Sequence, residues 1–148
     1  MTNDLSGSST PIAASEANGT APVQSEVAFN LSDQQWQHRV LVVFAPSQQA
    51  LVHQQQHRAW QSHTEAMRER DLKLVEVLAT GASRVDGQLM SAASADRLRN
   101  QFGIAPEAFA IVLIGKDGTE KQRFDQPVDP RGIFSTINAM PMRQQEML

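Results

Sequence analysis

Two runs of the chain carry no polar side chain: residues 40–45, Val-Leu-Val-Val-Phe-Ala, and residues 109–114, Phe-Ala-Ile-Val-Leu-Ile. Each has strand length, and a continuous apolar run of that length predicts a strand covered on both faces. Residues 72–80 and 120–124 also read as strands, but Lys73, Glu76, Glu120, Lys121 and Arg123 interrupt them. Charge is tolerated at sheet edges and guards them against aggregation, so these two are predicted to lie outermost. Pro46 stops the first strand, and Ser47 is the expected N-cap of a helix over residues 48–69. Its inner stripe would be Leu51, Gln55, Ala59, Ala66 and Met67, with Val52 and Trp60 beside it. Residues 81–88 read as a loop, punctuated by Gly81 and Asp86-Gly87.

A short helix begins at Ser91 or Ser94, presents Leu98 and Phe102 on one face, and ends where Gly103 supplies a left-handed cap. Lys116-Asp117-Gly118-Thr119 carries the Asp-Gly signal of a tight hairpin. Asp129 followed by Pro130 starts a last helix whose buried face is Ile133, Phe134, Ile137 and Met140, with Pro141 ending it. The order of elements and their polarity predict an α/β three-layer sandwich. Its central mixed sheet has about four strands in the order 2-1-3-4, flanked by helices, as in thioredoxin-like proteins. Residues 1 to about 27 are small and polar and cannot bury enough surface to offset their ordering entropy. The expected organisation is therefore a disordered or extended tail over 1–34 and one domain over 35–148, with Trp36 the first residue to pack.

Composition narrows the function classes. A chain of 148 residues suits a single core, and no stretch approaches the ~20 apolar residues of a membrane span. The net charge is −3, and the first 38 residues hold four acids and no Lys or Arg. The remainder is close to neutral and lacks the footprint of a nucleic-acid binder. There is no cysteine, which excludes disulfides, thiolate chemistry and Cys-built zinc sites. The N-terminus lacks the basic start and apolar core of a signal peptide. That leans towards a cytoplasmic location, with a periplasmic or extracellular protein freed of its signal as the alternative.

Several motifs also resemble a known family. They are Arg39-Val40-Leu41-Val42-Val43-Phe44-Ala45-Pro46, Glu69-Arg70-Asp71, Arg99-Asn100-Gln101-Phe102, Leu113-Ile114-Gly115-Lys116-Asp117-Gly118 and Pro141-Met142-Arg143-Gln144-Gln145-Glu146. Together they are similar to the P-DUDES domain. That domain is shared by sushi-repeat matrix proteins, a coiled-coil-domain matrix protein and many uncharacterised bacterial proteins. The resemblance implies a peroxiredoxin-like, thioredoxin-type fold of unknown function over about residues 35–147. The redox role proposed for the family by analogy of fold does not carry over, because no residue here can act as a thiol. Ala110 stands where thioredoxins place a cis-proline.

The candidate chemistry sits in three groups. Ser47 with Gln48 occupies the strand-to-helix corner, where a nucleophile would sit at a helix N-terminus; the plain alternative for Ser47 is capping. His53 and His57 are four apart on one helical face, the spacing of a metal pair, though the third ligand is missing. The plain alternative is an exposed Gln-rich face. Arg39, Arg131, Arg143 and Lys116 are candidates for binding an anion; the alternative is structural pairing, Arg143 with Glu146 and Arg131 with a nearby carboxylate. Glu65, Glu69, Asp71 and Glu76 read as solvated charges. No cofactor is implied. The expected function is a non-catalytic module that binds a protein or a small anionic ligand. The alternative is an enzyme using non-thiol chemistry at the Ser47 corner with Arg39 or Arg143.

Overall fold

The computed structural model describes residues 25–148, so the tail reading for residues 1–24 lies outside the described residues. Its strands, in chain order, are β1 (Arg39–Ala45), β2 (Leu72–Leu78), β3 (Arg84–Val85), β4 (Gln88–Leu89), β5 (Ala110–Ile114) and β6 (Glu120–Phe124). They form one six-stranded sheet in the order β4-β3-β2-β1-β5-β6. β1 runs parallel to β2 and antiparallel to β5, and β6 lies antiparallel on β5. The expected 2-1-3-4 order is present as β2-β1-β5-β6, but of its two ends only β6 is outermost: β2, expected at an edge for its charges, is interior, with β3 and β4 continuing the sheet beyond it. The two added strands come from the segment read as a loop. Asp86 and Gly87 both take positive φ, +48° and +82°, which is the backbone a two-residue hairpin turn requires.

β1 is buried at every position. Val40, Val42 and Phe44 enter one core layer, while Leu41 and Val43 enter the other. Side chains alternate across a strand, so an apolar run without a polar break is what a doubly covered strand needs. The helices are α1 (Leu51–Gln61), α2 (Thr64–Glu69), α3 (Ala92–Phe102), α4 (Pro130–Asn138) and α5 (Pro141–Glu146). α3 covers the first layer through Ala95 and Leu98. Trp60 of α1, Met67 of α2, and Ile133, Phe134 and Ile137 of α4 cover the second. Trp60 and Phe134 meet edge-on, with ring centroids 5.5 Å apart.

Helix capping follows the sequence in two places and departs from it in one. Ser91 caps α3 through Ser94 N–H, and Gly103 ends it at φ +66°. Asp129 caps α4 by accepting from Arg131 N–H, with Pro130 in the first turn. The helix expected over 48–69 starts late and breaks in the middle. The Ser47 carbonyl accepts from Ala50 N–H at 3.2 Å, so residues 47–50 close a turn and Ala50 becomes the N-cap without a side-chain bond. The break falls at Ser62–His63. His63 N–H bonds Trp60 O, while the His63 ring lies 3.0 Å from Ala59 O, so the side chain takes the carbonyl the next helical bond would need. With the later start, the buried face of α1 is His53, Gln56 and Trp60, and the expected Leu51 is 67% exposed.

Packing begins earlier than the expected boundary at residue 35. Val27 bridges Met90, and Phe29 is buried with its N–H donated to Ser94 Oγ at 2.8 Å. Trp36, expected to be the first packed residue, is 58% exposed and takes φ +69°. Pro141 does not finish the chain's helical structure; it opens α5, as proline at a first helical position can.

Candidate functional site

The end of β1 delivers the chain into the Pro46-Ser47-Gln48-Gln49 turn. Pro46 O there accepts from both Thr80 N–H and Thr80 Oγ1, at 3.0 and 3.1 Å, which pins the corner to the end of β2. Among the described residues, no side chain hydrogen-bonds the Ser47 hydroxyl. Ser47 therefore has neither the base nor the orienting group that a serine nucleophile uses.

Beside this corner lies a cavity of about 450 Å³, lined in part by Gln48, His53, His57, Arg58, Glu76 and Arg84. Three of the residues singled out in the sequence meet here: Gln48, His53 and His57. What joins the histidines is Glu76. Leu72, Leu74 and Glu76 alternate along β2 onto the face that α1 covers, so the carboxylate is carried under the helix. Glu76 Oε2 lies 3.1 Å from His53 Nε2 and 2.8 Å from His57 Nδ1. Burial pushes the Glu76 carboxyl up. The hydrogen bonds from His53 and His57 outweigh that effect and hold it below the usual carboxylate range.

The reading of Glu76 as a solvated charge is thus corrected: it is 7% exposed. The exposed Gln-rich face holds for Gln54, Gln55 and Gln61 and is corrected for His53 and Gln56, which are buried, Gln56 bonding Val128 through its amide N–H and its carbonyl. Among the described residues, no group of three or more His, Cys, Asp or Glu is arranged to hold a metal ion. His53 Nδ1 is buried without a hydrogen-bond partner. An ionised Glu76 accepts, so His57 presents Nδ1–H to it, and His57 Nε2 faces the Gln61 amide at 3.4 Å.

Arg39, Lys116 and Arg143 lie at the other end of the sheet. β1 separates Arg39 from the corner by roughly 20 Å, so neither Arg39 nor Arg143 can act with Ser47. All three are buried. Arg39 donates to Arg70 O at 2.8 Å and forks onto Glu146 at 3.2 and 3.3 Å. Lys116 Nζ reaches Asp71 at 2.8 Å and Glu146 at 2.6 Å. Arg143 donates to Glu69 O and to Asn138. Bonds from Asp71 and Glu146 outweigh burial and raise Lys116 above its ordinary value. Four of the five motifs carrying the family resemblance thus converge on one charge network that holds α5 against the start of β1; Arg99 of the fifth bonds Ala105 O instead. Arg131 stands apart, paired with Asp129 at 2.7 Å on the surface.

Arg58, Glu76 and Arg84 were not singled out as site residues in the sequence. Only Glu76 gives a signal there, a lone carboxylate in phase with the apolar residues of its strand.

The fold and the empty corner define a class: a thioredoxin-like α/β domain with no thiol. Similarity in fold is to solved peroxiredoxins. The reduced 2-Cys peroxiredoxin of Plasmodium vivax superposes at a TM-score of 0.59 with 18% identity, covering 81% of this chain and 86% of that one. Thioredoxin peroxidase I of Plasmodium yoelii superposes at 0.56 with 20% identity, covering 78% and 79%. The chain belongs to the family described as a domain of unknown function, DUF4174, whose profile matches residues 30–146. It is 29% identical over 133 residues to coiled-coil domain-containing protein 80 of Danio rerio, covering 79% of this chain and 15% of that protein. It is 30% identical over 113 residues to the sushi repeat-containing protein SRPX of Homo sapiens, covering 74% and 24%. The chain thus spans less than a quarter of the length of these relatives.

Proposed function

We propose that this domain is a non-catalytic binding module whose ligand site is the cavity beside the Ser47 corner. One observation carries the reading. The imidazoles and the carboxylate at that end of the sheet are bonded to one another, and Ser47 stands apart from them. General-base catalysis by an imidazole needs a nucleophile within reach of its free lone pair; here the lone pair left on His57 Nε2 lies against the Gln61 amide at 3.4 Å, that on His53 Nδ1 is buried, and neither is bonded to the Ser47 hydroxyl. A cavity of about 450 Å³ is within the size range of small-molecule sites. It lies near the carboxyl ends of β1 and β2, where open α/β sheets place their ligands.

The relatives support a module rather than a whole enzyme, since the matching segment is a small part of each. The P-DUDES resemblance is the finer family name within this reading. Relatives named for sushi repeats favour the exported alternative over the cytoplasmic lean. No helix among the described residues is long and apolar enough to cross a membrane.

The test is a fragment library screened by NMR on the isotope-labelled chain. Binders are expected to shift the amides of Gln48, His57 and Arg84 and to be recovered chemically unchanged. Fragments that are converted would overturn the non-catalytic reading in favour of non-thiol chemistry at the corner. Binders confined to another surface would overturn the site.

A further inference from the structure

Resting on the reading that the cavity is the ligand site, we propose that it takes a small oxyanion, a carboxylate or a phosphate. We further propose that His57 takes up one proton as the anion binds. The lining is rich in donors and poor in free acceptors. Arg58 and Arg84 have no carboxylate partner among the described residues; Arg84 spends one N–H on Gly87 O at 3.0 Å. Gln48, Gln54 and Gln61 add primary amides at the rim. The one carboxylate in the lining is Glu76, already committed to two imidazoles. Guanidinium forks match the planar or tetrahedral oxygens of an oxyanion better than any neutral group of that size.

The proton follows from the two imidazoles being unequal. His53 is buried, and its Nδ1 has no partner. A proton there would bury both a charge and a donor with no acceptor, so the uptake is assigned to His57. The His57 side chain is 45% exposed, and its Nε2 lies towards Gln61, which lines the cavity. Protonation at Nε2 turns a lone pair into a third cationic donor beside the anion, and it leaves the Nδ1–H bond to Glu76 in place.

The remaining charges around His57 do not cancel this. Arg84 from β3 and Arg68 from α2 are cationic, and Lys73 of β2 pairs with Asp86 of the β3–β4 turn at 3.5 Å. Across the neighbouring cavity, Asp71 is held by Lys116, and burial and Lys73 push the His38 imidazole below its ordinary value.

The experiment is calorimetric titration of the intact chain with succinate and with inorganic phosphate, chloride being the control. Each is run in two buffers of different ionisation enthalpy, at about pH 6 and about pH 8. Binding should be at least about fivefold tighter at the lower pH, within the limit of about tenfold per pH unit for one linked proton. The buffers should report uptake of a proton. Succinate alone binding assigns a carboxylate; phosphate alone assigns a phosphate ester or free phosphate. His57→Gln should keep binding but lose the proton uptake. Arg58→Gln and Arg84→Gln should each weaken binding about fivefold at both pH values.

Neither anion binding while neutral or cationic fragments fill the cavity would overturn the oxyanion and leave the module reading standing. Anion binding without proton uptake would overturn the role of His57. A cavity that nothing occupies would overturn the reading beneath both.

Discussion

Glu146 is the residue on which the charge network at the start of β1 turns, and Glu146→Ala is the perturbation that measures it. The carboxylate takes both forks of Arg39 at 3.2 and 3.3 Å and Lys116 Nζ at 2.6 Å. The Arg39 side chain is 1% exposed, so without Glu146 it retains only the bond to Arg70 O. Breaking a fully buried pair from one side costs about 3–5 kcal/mol. Glu146 is 25% exposed, so water replaces part of what is lost, and the expected cost falls to about 2–3 kcal/mol. For a domain of this size that is roughly 6–12 °C in melting temperature.

Urea unfolding followed by tryptophan fluorescence reports the loss, because Trp60 is buried against Phe134 in the layer that α4 covers. The midpoint should fall by about 1–2 M with the slope unchanged. Arg39→Met removes the stranded charge, so the double variant should lose less than the sum of the two single variants, by at least about 1 kcal/mol. A loss under about 0.5 kcal/mol for Glu146→Ala would show an ordinary surface pair and refute the network.

The acid limb of stability tests the same groups. Bonds from Lys116 and Arg39 outweigh burial and hold the Glu146 carboxyl below the usual range, as the histidines do for Glu76. A depressed carboxyl stabilises in full above its unfolded value of about 4.3 and loses that contribution as pH falls through the folded value. Lys116, being raised, contributes below about 10.4 and is lost as pH rises through its folded value. Denaturation against pH should therefore show a neutral plateau with losses at both ends; stability that climbs below about pH 4 would contradict it. Glu76→Gln replaces a buried acceptor of two imidazoles by an amide and should cost about 1–3 kcal/mol in the same assay. Ser47→Ala should change stability by less than about 0.5 kcal/mol, since Ala50 and not Ser47 caps α1; a loss near 1 kcal/mol would reinstate the cap.

Much of the fold is legible where local chemistry and tertiary packing agree. β1 and β5 read as central strands because double coverage demands an unbroken apolar run. α4 reads correctly because Asp129-Pro130 is a start signal that no neighbour overrides. The failures share a cause, which is competition for backbone hydrogen bonds that periodicity does not register. The Ser47 carbonyl closes a turn and delays α1, and the His63 ring takes Ala59 O and splits α1 from α2. In the helix that results, Leu51 faces outward and His53, Gln56 and Trp60 face the core.

The site was half legible for the same reason. Gln48, His53 and His57 belong together by sequence distance, but Glu76 reaches them only through the register of β2 under α1. The small β3–β4 hairpin, which brings Arg84, was hidden because two-residue strands carry no period. The cationic candidates went the other way. Pairing of Arg143 with Glu146 is legible from their spacing, but only the folded chain brings Glu146 to Arg39 and Lys116, and Asp71 to Lys116.

The proposed module rests on the ionisable groups beside the corner holding one another through Glu76. Long-range nitrogen–proton correlation of the histidine rings measures this directly. The account predicts that neutral His57 carries its proton on Nδ1 and His53 on Nε2, with both ring protons shifted downfield by Glu76 and restored to ordinary positions in Glu76→Gln. His57 found with its proton on Nε2, and ring protons indifferent to Glu76→Gln, would show that Glu76 does not hold the imidazoles and would contradict this reading.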